Sequence, residues 1–157
     1  MIDGLVSIIM PIKNGAEFIP DSFFSIEAQT YKNFELIIID DHSTDNTIEI
    51  LENLIKQDDR VQWHTNPGSG IVDALNHGFS LSKGEYVTRM DCDDHMSADK
   101  LELLLKEVKP GVVPVGLVEY FSYEELGEGY KIYAEWLNSL TRYSENYKDI
   151  YKECTIP

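Results

Sequence analysis

A chain of 157 residues is long enough for one domain with a real core, and 43% hydrophobic against 26% charged residues is an ordinary globular balance. Lys and Arg number 13 against 28 Asp and Glu, a net charge of −15. That charge excludes nonspecific nucleic-acid binding through a basic face, and it obliges any anionic ligand to find a metal, a helix N-terminus or a few placed cations. Cys92 and Cys154 sit in no CxxC pair and are expected as reduced thiols of a cytosolic protein. Asp3 and Lys13 flank too short an apolar run for a signal peptide, and no apolar stretch is long enough to span a bilayer.

The first element predicted is a buried parallel strand over 5–10, a continuous apolar run closed by Pro11. Lys13-Asn14-Gly15 is a loop. A helix follows over 19–29, with Pro20-Asp21 at its start. A second buried strand over 34–39 ends in Asp40-Asp41. Residues 43–46 supply caps for a helix that places Ile48, Leu51, Leu54 and Ile55 on one face. A short strand over 61–64 leads to the turn-rich segment 66–70, then a helix over 71–81 closed by Lys83-Gly84. The strand at 86–90 runs into Asp91-Cys92-Asp93-Asp94, and a helix over 98–108 is expected to turn Leu101, Leu104, Leu105 and Val108 inward. Strands alternating with helices at this spacing predict an α/β fold, a mostly parallel doubly wound sheet with helices on both faces. Beyond Pro110 the chain becomes aromatic. Residues 112–118, with Pro114 inside, make an irregular strand at best, and 131–140 and 145–154 read as helices.

The acidic run after 86–90 is the strongest chemical signal. Two carboxylates about 4 Å apart repel by roughly 4 kcal/mol at an effective dielectric near 20. A hard divalent cation with oxygen ligands is the usual relief. Four features stand at strand ends or helix starts: Pro11 to Asn14, Asp40 to Ser43, Gly68 to Asn76 and Arg89 to Asp94. A parallel sheet brings strand ends to one edge, where ligands bind in open α/β folds. Taken alone, Asp40-Asp41 could equally be carboxylates at a helix N-terminus, and Asn66 to Gly70 could be only a turn. His42, His64, His77 and His95 are not spaced as a metal cluster and read as surface or packing residues. The tyrosines and Trp136 read as core or interface.

The set in this order resembles family-two glycosyltransferases with the GT-A fold, a Rossmann-like nucleotide-binding domain. The resemblance is carried by Val6-Ser7-Ile8-Ile9-Met10-Pro11, by the run from Gln29 to Thr47, by Gly70 to Gly78, and by Arg89-Met90-Asp91-Cys92-Asp93-Asp94. It spans about residues 5–108. It implies a nucleotide-sugar pocket built from Pro11, Lys13 and Asp41, with Asp41 accepting a hydrogen bond from the base. Lys13 stands where most members carry an aromatic, and its ammonium could meet a phosphate instead. Asp91 matches the ribose-side residue and Asp93 the metal ligand of the DxD motif. Asp73, Asn76 and Arg89 are further donor-side candidates. The cofactor implied is Mn²⁺ or Mg²⁺, bound by Asp93 with Asp91. The reaction implied is inverting transfer of a sugar from a nucleotide-diphosphate donor, a UDP-sugar, to a hydroxyl of a saccharide or lipid-linked acceptor. Cell-surface polysaccharide or glycolipid synthesis, in the cytoplasm at the inner membrane face with peripheral attachment, is the corresponding expectation. No match to the family's downstream catalytic base follows Asp94, and Glu124-Glu125 comes too early. The domains expected are 1–110 for the donor and 111–157 as the start of a longer acceptor-side region.

A Mg²⁺-dependent phosphotransfer module would need a phosphoacceptor Asp after the third strand and a late Lys, and the second acidic cluster here follows the fourth strand. A nucleotidyltransferase would open on a glycine-rich, basic loop, and 11–15 holds one Lys and one Gly. A noncatalytic nucleotide-binding fragment stays open.

Overall fold

The computed structural model describes residues 1–122 and 125–146. In chain order it shows β1 (Ile2–Ile12), α1 (Ile19–Glu27), β2 (Phe34–Asp40), α2 (Thr47–Leu54), β3 (Val61–Thr65), α3 (Ile71–Leu81), β4 (Gly84–Arg89), α4 (Lys100–Glu107) and α5 (Glu128–Arg142). The chain divides into two compact units, Met1–Leu101 and Glu102–Pro157.

In the first unit the strands lie in the order β3-β2-β1-β4, every pair parallel. All of β2 and residues 5–10 of β1 are buried, so both faces of the central strands are covered. Side chains alternate across the sheet. Ile37, Ile39 and Ala74 share one buried cluster with Leu81 packed on it, which places α3 on that face. A Cβ at Gly78 would come within 2.5 Å of the Ile9 side chain, so a glycine lets α3 lie close against the sheet. Ile8, Met10, Leu36 and Ile38 are equally buried on the opposite face. The crossovers β1-α1-β2 and β2-α2-β3 step one way along the sheet, whereas β3-α3-β4 steps back past β1. Right-handed crossovers therefore put α1 and α2 on the face opposite α3. The doubly wound α/β architecture follows, with its switch point between β1 and β4.

The N-terminal edge of the sheet is locked by a buried polar network. The Ser7 hydroxyl donates to Glu35 Oε1 at 2.6 Å and accepts from the Gly84 N–H at 2.9 Å. The Lys83 N–H donates to the same Glu35 oxygen at 2.8 Å.

Several boundaries differ from the sequence expectation. β1 extends to both sides of 5–10, because parallel neighbours on either side complete its ladder and Pro11 needs no donor at its place. α1 stops at Glu27, and Gln29 is buried outside it. Of the capping residues expected over 43–46, Asp45 accepts from the Thr47 N–H at 3.1 Å, whereas Asn46 makes no side-chain cap. α4 is shorter than 98–108, and of its leucines only Leu101 is buried.

In the second unit, 112–118 forms no strand beyond an isolated antiparallel bridge from Lys109 to Val112. The Asn138 side chain on α5 accepts from the Val118 N–H at 2.8 Å and donates to its carbonyl at 2.7 Å. Tyr120, Tyr130, Tyr133 and Trp136 form tilted ring pairs 5.5–6.1 Å apart. The helix expected over 145–154 lies almost wholly outside the described residues. Among the described residues no helix is long and apolar enough to cross a membrane.

Candidate functional site

The switch point of the sheet lies between β1 and β4, and in open α/β sheets ligands bind beyond the carboxyl ends of the strands at such a point. Backbone pairing carries the rim segments into alignment there. The Asp41 N–H donates to the Ile12 carbonyl at 2.7 Å, the Asn66 N–H to the Asp40 carbonyl at 2.8 Å, and the Met90 N–H to the Ile9 carbonyl at 3.0 Å. Asp41 therefore leaves the sheet beside the end of β1 and Asn66 beside the end of β2, and the acidic run leaves it alongside Met10 and Pro11.

The loops at this edge are tied to one another. Asn14, at φ 52°, donates its N–H to the Ser43 hydroxyl at 2.8 Å and accepts from the Thr44 N–H at 2.8 Å. The Gly15 N–H donates to the buried Thr47 hydroxyl at 3.0 Å. His42, at φ 62°, sets Nε2 3.0 Å from the Gly68 carbonyl. Non-glycine residues at positive φ persist where their surroundings over-determine them, and these side-chain bonds supply that constraint.

Asp41 is held by three donors. Its Oδ1 accepts from Asn66 Nδ2 at 2.7 Å and from the Gly70 N–H at 2.9 Å, and its Oδ2 lies 3.3 Å from Lys13 Nζ. The Asn66 amide, then the Gly70 N–H, hold its carboxyl below the usual carboxylate range, with the Lys13 ammonium adding to the effect. Asp41 therefore stands ionised and aimed, with Pro11 half-buried beside it and the Lys13 side chain exposed.

At the end of β4, Arg89 forks onto Asp91, Nε to Oδ1 at 2.9 Å and Nη2 to Oδ2 at 2.6 Å. Asp93 is exposed on the turn that follows. The Asp94 carboxyl is pushed up by partial burial and by the charges of Asp91 and Asp93, and the Cys92 thiol is pushed up to about 11 by burial and by Asp93 and Asp91. Arg89 offsets one charge of the acidic turn, and three carboxylates within four residues leave it net negative. Among the described residues no group of three or more His, Cys, Asp and Glu side chains is placed to hold a metal ion. The donor set suits a hard cation that takes one or two carboxylates and draws its remaining ligands from water and substrate phosphate, the usual habit of Mg²⁺.

The remaining sequence candidates divide. Asp73 is in the first turn of α3, where Oδ2 accepts from the Ser69 N–H at 3.1 Å. A Cβ at Gly68 would come within 2.3 Å of that oxygen, so Gly68 allows the turn to close on Asp73. Asn76 is exposed on α3, three residues after Asp73. The 66–70 segment is a hydrogen-bonded turn, with Gly70 at φ 85°.

Sequence reasoning passed over two residues. Asn66 follows the last residue of β3 and is 1% exposed, a buried amide at a strand end. Gln29 is fully buried; it donates to the Ser97 carbonyl at 2.7 Å and accepts from the Leu101 N–H at 3.1 Å, pinning the segment after the acidic turn. Neither residue stands out along the chain, because each lies among polar and turn-forming neighbours, and only its burial in the fold marks it.

The profile of Glycosyl transferase family 2 matches residues 7–155. The glycosyltransferase GlyG of Streptococcus pneumoniae is 35% identical over 130 residues, which is 82% of this chain and 43% of GlyG. The chondroitin synthase of Pasteurella multocida is 40% identical over 103 residues, 66% of this chain and 11% of the synthase. This chain thus spans less than half the length of either. Among solved structures, S. aureus TarS 1-349 in complex with UDP superposes with a TM-score of 0.60 at 25% identity, covering 64% of this chain and 31% of that one. The mannosyltransferase PcManGT of Pyrobaculum calidifontis, in complex with GDP-Man and Mn²⁺, gives 0.61 at 25% identity over 64% of this chain and 31% of that one. With its parallel sheet, the switch point between β1 and β4 and a family match across nearly its whole length, the chain belongs to Glycosyl transferase family 2 and carries the GT-A fold.

Proposed function

We propose that this chain is the donor-binding part of a glycosyltransferase that moves a sugar from a nucleotide-diphosphate donor, a UDP-sugar, to an acceptor hydroxyl with inversion. The observation that carries the reading is the alignment of Asp41, Lys13 and the Arg89 to Asp94 segment along one edge of the sheet, at the switch point. The UDP complex of TarS and the GDP-Man and Mn²⁺ complex of PcManGT, both similar in fold, support it.

In this reading Asp41 and Pro11 meet the base, Lys13 stands between base and phosphates, Asp91 faces the ribose, and Arg89, Asp73 and Asn76 serve the donor side. Asp93, with Asp91, would hold Mn²⁺ or Mg²⁺, whose chemistry is to neutralise the diphosphate as the nucleotide leaves. Arg89 sets the orientation of Asp91 and screens its charge. Residues 111–157 begin the acceptor side, and the chondroitin synthase relative favours a saccharide acceptor. The base that deprotonates the acceptor is assigned to no residue of this chain.

The test is calorimetric titration of UDP with and without Mn²⁺, repeated on Asp93→Ala. Binding that needs the metal and is lost in the variant supports the reading. UDP binding indifferent to both refutes it.

A further inference from the structure

Asn66 uses its whole side chain at the rim. Nδ2 donates to Asp41 Oδ1 at 2.7 Å and to the Gly70 carbonyl at 3.3 Å, and Oδ1 accepts from the Gly68 N–H at 3.2 Å. The Gly70 N–H donates to the same Asp41 oxygen at 2.9 Å. Two donors fill the acceptor sites of Asp41 Oδ1. Among the described residues, Oδ2 meets only the Lys13 ammonium, at 3.3 Å and on a side chain that is 58% exposed. The carboxylate therefore offers a ligand one oxygen, not two.

We propose that Asn66 is a positioning residue that commits Asp41 Oδ1 to the protein and leaves Oδ2 as the single acceptor at the base end, so that the pocket selects uracil over guanine. This rests on the reading of Asp41 as the residue that meets the base. Uracil presents one ring N–H between two carbonyls. The N–H matches Oδ2, and the Lys13 ammonium, a donor only, suits a flanking carbonyl. Guanine presents a ring N–H and an exocyclic amine side by side, a pair that calls for both carboxylate oxygens. With Oδ1 occupied, the amine is left without an acceptor, which costs affinity. Asn66 also ties the Gly68 to Gly70 turn, so one buried amide fixes both the direction of the carboxylate and the loop above it.

The experiment titrates UDP, GDP and pyrophosphate, each with Mn²⁺, into the wild type, Asn66→Ala and Asn66→Asp. The wild type is expected to bind UDP at least about tenfold more tightly than GDP. Asn66→Ala is expected to lose about tenfold or more in UDP affinity and most of the UDP-over-GDP preference, while pyrophosphate, which reports only the metal end, changes by less than about twofold. Asn66→Asp keeps the size and places a second carboxylate against Asp41. Its UDP affinity is expected to be weak at pH 7.5 and to recover towards pH 5.5, as the close carboxyl pair takes up a proton and rebuilds an O–H···O bond. Equal losses of UDP and pyrophosphate in both variants would reduce Asn66 to a structural residue and overturn the proposal. So would wild-type affinities for UDP and GDP that are alike, or an Asn66→Ala variant with unchanged UDP affinity. A wild type that binds pyrophosphate with Mn²⁺ but no nucleotide more tightly overturns the reading of Asp41 itself, a distinct failure.

Discussion

Gly84→Ala tests whether the start of β4 sets the placement of the acidic turn at its other end. A Cβ at residue 84 would lie 2.6 Å from the Leu5 carbonyl oxygen and 2.8 Å from both the Ser7 nitrogen and its hydroxyl. Two of those atoms are backbone of β1 and cannot swing aside. Relief must come from β4 moving off β1, which breaks the Gly84 N–H bond to the Ser7 hydroxyl and disturbs the Glu35 network behind it. Overpacking of this kind costs roughly 1–3 kcal/mol. A buried N–H left without its acceptor adds about 1–3 kcal/mol. A loss of about 3 kcal/mol is expected, which for a chain of this length lowers Tm by roughly 6–12 °C. Thermal and urea unfolding followed by circular dichroism read it, with Gly116→Ala as the control, because a Cβ there meets nothing within 4 Å. Mn²⁺-dependent UDP affinity is expected to fall with the same variant, since β4 delivers Arg89 to Asp94. A Gly84→Ala protein within about 1 kcal/mol of the wild type would refute the argument, because the clash involves main chain rather than a flexible side chain.

Gln29→Leu removes the clamp on the segment after the acidic turn; with the Ser97 carbonyl and the Leu101 N–H orphaned, a loss of about 2–4 kcal/mol is expected, and hydrogen exchange at Leu101 should accelerate by the same free energy. His64 is held below its ordinary value by burial, then by His77 and Lys83, so the unfolded chain takes up the proton first as pH falls through about 6.5. The contribution is present above that value and lost below it: the urea midpoint is expected to fall between pH 7.5 and 5.5, and less steeply in His64→Gln. Asp58, lowered chiefly by the Arg60 guanidinium, works in the same sense at lower pH, with stability lost as pH drops below about 4; a urea midpoint for Asp58→Asn that falls as steeply there as the wild type's would refute the assignment.

Much of the first unit was legible from residues alone. Runs such as Phe34 to Ile39 cannot be exposed, and their alternation with helical periods leaves little choice but a parallel sheet covered on both faces. The acidic turn was legible because carboxylates so close repel, and a strand end is where a cation relieves them. The aromatic second unit was poorly legible, because Tyr and Trp serve core, interface and ligand stacking with one pattern. The end of α1 was misjudged because a buried amide at Gln29 took over from local propensity.

Strand and helix order, the placing of carboxylates at strand ends and the family resemblance are local properties, set by periodicity and composition along the chain. The pairing of Asn66 with Asp41, of Arg89 with Asp91 and of Gln29 with Ser97 joins segments or orients side chains that no period along the chain describes. Sheet order brings the ends of β1, β2 and β3 side by side, and only then does a buried amide acquire a carboxylate to hold. The direction in which Asp41 points, and hence what its free oxygen can bind, is decided by that packing.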